Sequence, residues 1–277
     1  MQGINEFLLN KQINKITETQ WKEILKGIKN EIKDNKSTIY SMNNIDKNHY
    51  KKQVSIEDLI KEIEKYEKEQ FESSETKSFM YSYYGNPILT MNLLLKSIKY
   101  NIKAIFAIED YMLAINSVLI TIVNNVLQDN KIGEMFNIQN LLEVQEVKKY
   151  SNKLDKILCI GNSFNYFLYT KNKIKNVEYE PFNAIDVYCD SEELEELQLK
   201  IYEFCQEEFI EIQIYDCENI DEAIRLFNHS VAAQGVLLTK TKEHIKKAKE
   251  EVKKVKMVIN KNPFENQNFM ILDKYLK

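Results

Sequence analysis

The sequence predicts an α/β protein with mainly parallel sheets and flanking helices. Between residues 79 and 260, short apolar or aromatic runs of strand length alternate with longer amphipathic segments of helix length. Helices of that length can cross over between parallel strands, and such crossovers are right-handed. The chain has 277 residues, 44% of them hydrophobic, which suffices for one large domain or two modest ones.

The N-terminal third is predicted to be helical. Apolar residues recur at near-helical spacing over residues 5–34, and Thr17 or Thr19 can start a second segment there. Ser55 followed by Asp58 fits a capping pattern at the start of another helix. The polar, turn-rich run 67–78 predicts a linker or exposed loop, while the polar region 35–54 gives no clear signal.

Strands and helices then alternate. The aromatic run 79–84 predicts a strand that ends at the turn Gly85-Asn86-Pro87, and proline suits the first turn of the next helix. Further strands are predicted at 104–108, 157–160, 185–189, 209–215, 234–239 and 256–260, with a short segment at 138–144. Helices are predicted at 87–100, 112–127, 145–153, 191–206, 219–228 and 241–254, with a short one after Ser163.

Composition excludes several classes of protein. The net charge is -4 and Arg225 is the only arginine, so no basic field predicts nucleic-acid binding. No two of the six glycines lie closer than 24 positions, which excludes both a G-x-G-x-x-G dinucleotide loop and a Walker A loop.

The cysteines and histidines predict no metal site. The four cysteines lie 30, 16 and 12 positions apart, so there is no C-x-x-C pair, and the three histidines form no H-E-x-x-H motif. We expect free thiols in a reducing cytoplasm. The polar N-terminus resembles no signal peptide, and no apolar run is long enough to span a membrane.

Three segments, in order, resemble the aldehyde dehydrogenase superfamily, most nearly its γ-glutamyl phosphate reductase branch. The first, residues 81–87 with 101–109, is similar to the family's aromatic-Asn-Pro strand end and "G-N-x-V-V-L-K-P-S-E" strand. The second, residues 158–163 with 177–183, is similar to "F-T-G-S" and "L-E-L-G-G-K". The third, residues 219–228, 235–240 and 258–260, is similar to "E-E-A-I-x-x-x-N", "A-x-V-x-T-x-D" and "V-x-I-N".

The resemblance implies a two-lobed architecture with a trimmed catalytic lobe. Residues 1–183 would hold the N-terminal helices and a dinucleotide-domain-like unit, and residues 184–264 the shortened catalytic lobe. The tail 265–277 includes NFMILDKYL, a candidate edge strand of the kind that contributes to dimer contacts in the family. We therefore expect a homodimer or a complex with a partner protein.

The resemblance also implies candidate catalytic residues. The stretch that normally carries the nucleophilic cysteine is missing between Glu178 and Asn219, which leaves Cys205 as the nearest candidate by chain order and Cys217 as the second. Glu178 would be the general base, and Asn86 the oxyanion donor. Each has a structural alternative. Cys205 falls on the apolar face of a predicted helix, Glu178 on a solvated loop, and Asn86 in a turn.

The candidate cofactor residues are Glu109, Gly161, Asn162 and Ser163, which match family positions for NAD or NADP. The amides at a strand–helix turn can hold a phosphate, although a tight turn alone also favours glycine at position 161. The family's ribose-binding lysine falls at Phe106. No cofactor follows with certainty.

Two functions compete. In the first, the protein is a non-catalytic relative that acts as a scaffold or partner subunit with at most residual nucleotide binding. In the second, it is an NAD(P)-dependent reductase or dehydrogenase of an aldehyde, acyl phosphate or acyl thioester with a cysteine nucleophile. The lost loop, the lost lysine and the scarcity of glycine favour the first. A small-molecule-binding α/β protein with a coincidental resemblance is a third alternative.

Overall fold

The computed structural model describes residues 4–9, 13–46, 53–69, 71, 75–180, 184–190, 195–207, 211–230, 234–239, 241–252 and 257–259. The chain forms two compact units. The first comprises Met1–Cys159 and Leu168–Glu178, and the second comprises Ile160–Phe167 and Tyr179–Lys277.

Four helices precede the first sheet. They are α1 (Ile4–Leu9), α2 (Glu18–Asp34), α3 (Lys36–Asp46) and α4 (Ile56–Glu67). Thr17 and Gln20 form a capping box at the start of α2, and the Ser55 side chain caps α4. The helical region predicted over residues 5–34 is two helices, and of the two possible starts of the second one the structure uses Thr17. Helix α3 covers part of the region that gave no sequence signal.

The sheet of the first unit has the strand order β3-β2-β1-β4-β5. Strand β1 pairs in parallel with β2 and β4, and β2 pairs in parallel with β3. Every residue of β2 is buried, as expected for a parallel strand that helices cover on both faces. The elements from the first strand of this sheet to its last are β1 (Lys77–Tyr83), α5 (Pro87–Lys99), β2 (Ile102–Ile108), α6 (Leu113–Asp129), β3 (Phe136–Asn140), α7 (Val144–Tyr150), β4 (Lys156–Ile160), α8 (Ser163–Lys171) and β5 (Val177–Glu180). The first five residues of α8, up to Phe167, and the end of β5, from Tyr179, belong to the second unit.

The second unit holds a four-stranded sheet with the order β7-β6-β8-β9. Its paired strands are parallel, which confirms the predicted fold class. The elements are β6 (Ala184–Cys189), α9 (Glu195–Glu207), β7 (Glu211–Asp216), α10 (Ile220–His229), β8 (Gln234–Leu238), α11 (Lys242–Glu251) and β9 (Met257–Ile259). The predicted edge strand in the tail lies outside the described residues.

The two faces of this second sheet have separate cores. Ile185, Val187 and Cys189 pack on one face with residues of α9. Tyr188 packs on the other face with residues of α10. Alternate residues of a strand point to opposite faces, so β6 divides its side chains between the two cores.

A buried polar network fixes the turn between β1 and α5. Gly85 has φ +109°, and the Asn86 side chain caps α5 by accepting from the amides of Ile88 and Leu89. Fully buried Asn116 donates to the carbonyls of Gly85 (2.6 Å) and Met112 (2.7 Å). This network ties the turn to α6.

A buried lysine joins α1 to β2. The Lys103 side chain is 4% exposed, and its ammonium donates to the carbonyl of Phe7 and lies 4.1 Å from the centroid of the Phe7 ring. Burial lowers the pKa of Lys103, and the charge of Glu134 partly opposes that shift.

The Lys103→Met substitution is expected to remove a pH dependence of stability. The unfolded chain keeps its Lys103 proton up to about pH 10.5, whereas the folded chain releases it at lower pH. Between the two pKa values the unfolded state binds more protons, so wild-type stability rises with pH there. The free energy of unfolding of the variant minus that of the wild type should therefore fall, towards more negative values, as the pH rises to 10.5. Urea denaturation over a pH series measures it, and parallel curves for the two proteins would contradict it.

Among the described residues, no helix is both long and apolar enough to cross a membrane.

Candidate functional site

The candidate cofactor residues Gly161, Asn162 and Ser163 form the turn that begins α8. Gly161 has φ +66°, which favours glycine. The Asn162 side chain accepts from the Asn165 amide at 2.9 Å, and the Ser163 amide donates to the Gly161 carbonyl at 3.2 Å. Two amides at this helix start therefore already have partners within the turn.

A buried carboxylate lies beside this turn. Asp186, in β6, is 1% exposed and accepts from the hydroxyls of Ser163 (2.9 Å), Tyr188 (3.1 Å) and Ser230 (2.8 Å). Tyr215 is within 3.2 Å of the Ser163 hydroxyl. Several hydroxyl groups thus satisfy a carboxylate that burial would otherwise make costly.

The phenols around Asp186 stay protonated. Burial, then the charge of Asp186, raises the pKa of Tyr215 to about 12 and also raises the pKa of Tyr188. Neutral phenols are hydrogen-bond donors, and the positive end of the α8 dipole favours an anion nearby. The Asp186 carboxylate supplies that anion from within the chain.

Cys205 lies on the opposite face of the same sheet. It is fully buried in α9 and packs in the core that includes Ile185 and Val187, whereas Asp186 and Tyr188 point to the other face. The strand therefore separates the candidate nucleophile from the candidate cofactor turn.

The other three cysteines are buried as well. Burial raises the pKa of the Cys159 thiol to about 12, and burial together with the charge of Glu222 raises that of Cys217 to about 12. Such thiols carry little thiolate, the form that attacks an electrophile.

The remaining candidate residues lie in the first unit. The Glu178 side chain is 57% exposed and pairs with Lys156 at 2.7 Å. Asn86 uses its side-chain oxygen to cap α5. Glu109 follows β2, and burial, with a smaller contribution from Asp110, raises its pKa.

Two buried or partly buried carboxylates, Asp186 and Asp190, are not among the residues predicted from the sequence. A charged residue at the centre of the apolar strand AIDVYC is the signal that could have pointed to Asp186. Asp190 follows β6, accepts from the Thr239 hydroxyl at 2.7 Å and pairs with His244 at 2.8 Å. Asp190 thus connects the end of β6 to Thr239 after β8 and to His244 in α11.

No group of three or more histidine, cysteine, aspartate or glutamate side chains suited to a metal ion occurs in the described part of the chain.

Solved structures with this fold exist, whereas no protein-family model and no curated protein matches the chain. A γ-glutamyl phosphate reductase from Thermotoga maritima is similar over 92% of this chain and 84% of its own, with 14% identity and a TM-score of 0.51. The γ-glutamyl phosphate reductase from Saccharomyces cerevisiae is similar over 94% of this chain and 92% of its own, with 10% identity and a TM-score of 0.50. An acetylating aldehyde dehydrogenase from Geobacillus thermoglucosidasius is similar over 90% of this chain and 57% of its own, with 10% identity and a TM-score of 0.50.

The likeness to the two γ-glutamyl phosphate reductases extends over more than nine tenths of this chain. At this level of identity the likenesses concern the fold alone. The chain therefore has the fold of the aldehyde dehydrogenase superfamily.

Proposed function

We propose that this protein is a non-catalytic relative of aldehyde dehydrogenases that acts as a scaffold or partner subunit. The burial of all four cysteines carries the proposal, because covalent catalysis of this type needs an accessible thiolate. The missing nucleophile stretch in the sequence supports the same conclusion. As part of the proposal, we place the protein in a reducing cytoplasm, where four free thiols persist.

The start of α8 supports at most residual nucleotide binding. A pyrophosphate at this turn would need free amides and a positive field. Here, the Asn165 amide already donates to the Asn162 side chain and the Ser163 amide to the Gly161 carbonyl. The Ser163 hydroxyl donates to Asp186. The negative charge of Asp186 would repel a phosphate at the position where the resemblance implies one. These residues do not fit a dinucleotide phosphate.

The alternative is an NAD(P)-dependent reductase or dehydrogenase of an aldehyde, acyl phosphate or acyl thioester. The fold that the chain shares with γ-glutamyl phosphate reductases favours it. Cys205 would then be the nucleophile and Glu178 the base. That chemistry would require α9 to expose a side chain that now lies in the core.

Titration with NADH and NADPH, followed by nicotinamide fluorescence, tests the proposal. We expect no saturation at concentrations up to about 1 mM, which corresponds to a binding free energy weaker than about 4 kcal/mol. Saturable micromolar binding, together with aldehyde-dependent oxidation or reduction of the nicotinamide, would contradict the proposal and support the reductase.

Thiol labelling is a second test of the same proposal. The folded protein should react slowly with a chromogenic disulfide reagent. The protein in denaturant should release one equivalent of the reagent's coloured thiol for each of its four cysteines. Rapid labelling of Cys205 in the folded protein would contradict the proposal.

A scaffold or partner subunit requires a partner. A homodimer through the C-terminal tail is one form that the proposal takes, and a complex with a different protein is the other. Analytical ultracentrifugation at high concentration distinguishes them, because a homodimer sediments as such without any added partner.

A further inference from the structure

Helices α10 and α11 contribute to the same core of the second unit but are held there differently. Each has ten residues, and both pack in the core that contains Tyr188. Helix α10 buries four apolar side chains, those of Ile220, Ala223, Ile224 and Phe227. Within α11, which the structure describes throughout, Ala248 is the one buried residue, and Ile245 is partly buried. Apolar burial therefore holds α11 much less strongly than α10, because its contribution scales with the area removed from water.

Polar contacts join α11 to α10. Lys247 pairs with Asp221, and the Asn228 side chain donates to the Glu251 carbonyl at 3.1 Å. The Lys247 and Asp221 side chains are 36% and 67% exposed, so dissolved salt screens their attraction. Exposed ion pairs of this kind stabilise a helix only weakly. The attachment of α11 to α10 therefore depends on ionic strength.

The N-terminal end of α11 is joined to the sheet through Asp190. This side chain is 1% exposed, and its Oδ2 accepts from the Thr239 hydroxyl at 2.7 Å and from His244 Nδ1 at 2.8 Å. Its Oδ1 is buried and has no hydrogen-bond partner among the described residues. A buried carboxylate that lacks partners is costly, so both donors to Oδ2 are important. One of them is lost whenever α11 moves away from the sheet.

We propose that α11 is a strap that opens from the second unit while α10 and the sheet stay folded, and that the hydrogen bond from His244 to Asp190 holds it closed. Opening removes Ala248 from the core that it shares with Phe227 and Leu237, and so exposes part of that core to solvent. The fraction of open molecules rises with ionic strength, because salt weakens the ion pair between the two helices. The motion requires neither a partner nor a nucleotide, so it is independent of the proposed function.

Hydrogen exchange of the full-length protein, followed by mass spectrometry, tests this motion, with α10 as a reference helix of equal length. After correction for intrinsic rates, the α11 amides should exchange at least about tenfold faster than those of α10, as expected for a separately opening unit. Raising the salt concentration from about 0.02 M to about 0.5 M should speed exchange in α11 about threefold and leave α10 unchanged. Equal exchange in the two helices would overturn the proposal, because they would then open together.

Two neighbouring lysines of α11 form a matched pair of variants. Lys247→Ala removes the ion pair with Asp221, whereas Lys246→Ala removes the same charge from an exposed position outside the contacts described above. Lys247→Ala should speed α11 exchange about threefold in low salt and abolish its salt response, and Lys246→Ala should change neither. Equal effects of the two variants would overturn the proposed role of the ion pair, since net charge would then be the cause.

Two substitutions of His244 test its hydrogen bond to Asp190. His244→Ala should speed α11 exchange about tenfold through loss of a donor to a buried carboxylate, even though alanine is the better helix former. His244→Asn keeps an N–H donor near the position of Nδ1 and should restore most of the wild-type protection. If asparagine protects α11 no better than alanine, the hydrogen bond does not hold the helix.

Helix α10 also reports whether each variant is folded. In His244→Ala it should keep its wild-type exchange, because only α11 opens. Equal acceleration in both helices would mean that His244 stabilises the whole unit, and the proposal would fail. Should His244→Ala not fold at all, the comparison of Lys247→Ala with Lys246→Ala decides between a separately opening strap and a helix that unfolds only with its unit.

Discussion

Replacement of Gly85 by alanine is expected to lower the free energy of unfolding by about 4 kcal/mol, the sum of backbone strain and overpacking. Gly85 has φ +109°, a conformation that side chains with a Cβ rarely adopt. An added Cβ would lie 2.6 Å from the Cβ of Met112 and 3.3 Å from the side-chain nitrogen of Asn116. Neither neighbour can withdraw easily, because both are buried and Asn116 donates to the Gly85 carbonyl.

Gly27→Ala is the matched control. Gly27 lies within α2 and does not have a positive φ, so its alanine variant adds a close contact without backbone strain: the new Cβ would meet a methyl carbon of buried Val126 at 2.8 Å. Alanine also gains about 1 kcal/mol over glycine in a helix, which offsets that contact. Urea denaturation followed by circular dichroism compares the two variants. Equal losses of stability would mean that the strain at Gly85 is not the cause.

The Asp186→Ala variant is expected to lose about 3 kcal/mol of stability in the second unit, because the hydroxyls of Ser163, Tyr188 and Ser230 lose their shared acceptor. Removal of a buried charge recovers part of its desolvation cost, so the expected loss is smaller than the sum of three bonds.

Asp216→Ala is the control for this prediction. Asp216 ends β7, is exposed, and accepts a hydrogen bond from the Gln198 side chain at 3.0 Å. Its loss should cost less than about 0.5 kcal/mol. Hydrogen exchange of the β6 amides measures the local free energy of opening in both variants. If Asp186→Ala leaves that exchange unchanged, the hydroxyl cluster contributes nothing to the stability of the sheet.

Much of the fold could be predicted from local patterns. The Ser55 cap, the turn at Gly85-Asn86-Pro87 and the helix that contains Arg225 all appear where the sequence places them. Those signals lie within a few neighbouring residues, where capping and periodicity act. Within residues 5–34, apolar spacing continues across the break between the two helices, so only the capping residues indicate a second start, and they leave Thr17 and Thr19 as alternatives.

The candidate site depends on contacts between residues far apart in the chain. The apolar periodicity around Cys205 predicted its burial, which the structure bears out. By contrast, Ser163 and Asp186 lie 23 positions apart and Asp186 and Ser230 lie 44 apart. No local pattern joins them, because these residues meet only when the chain is folded.

The path of the chain between its two units limits how the protein can be divided. The polypeptide passes from one unit to the other after Cys159, again after Phe167 and a third time after Glu178. No single cleavage or truncation therefore releases an intact half. A fragment that begins at Tyr179 would lack the Ser163 hydroxyl that Asp186 requires, so the C-terminal portion depends on a short stretch synthesised well before it.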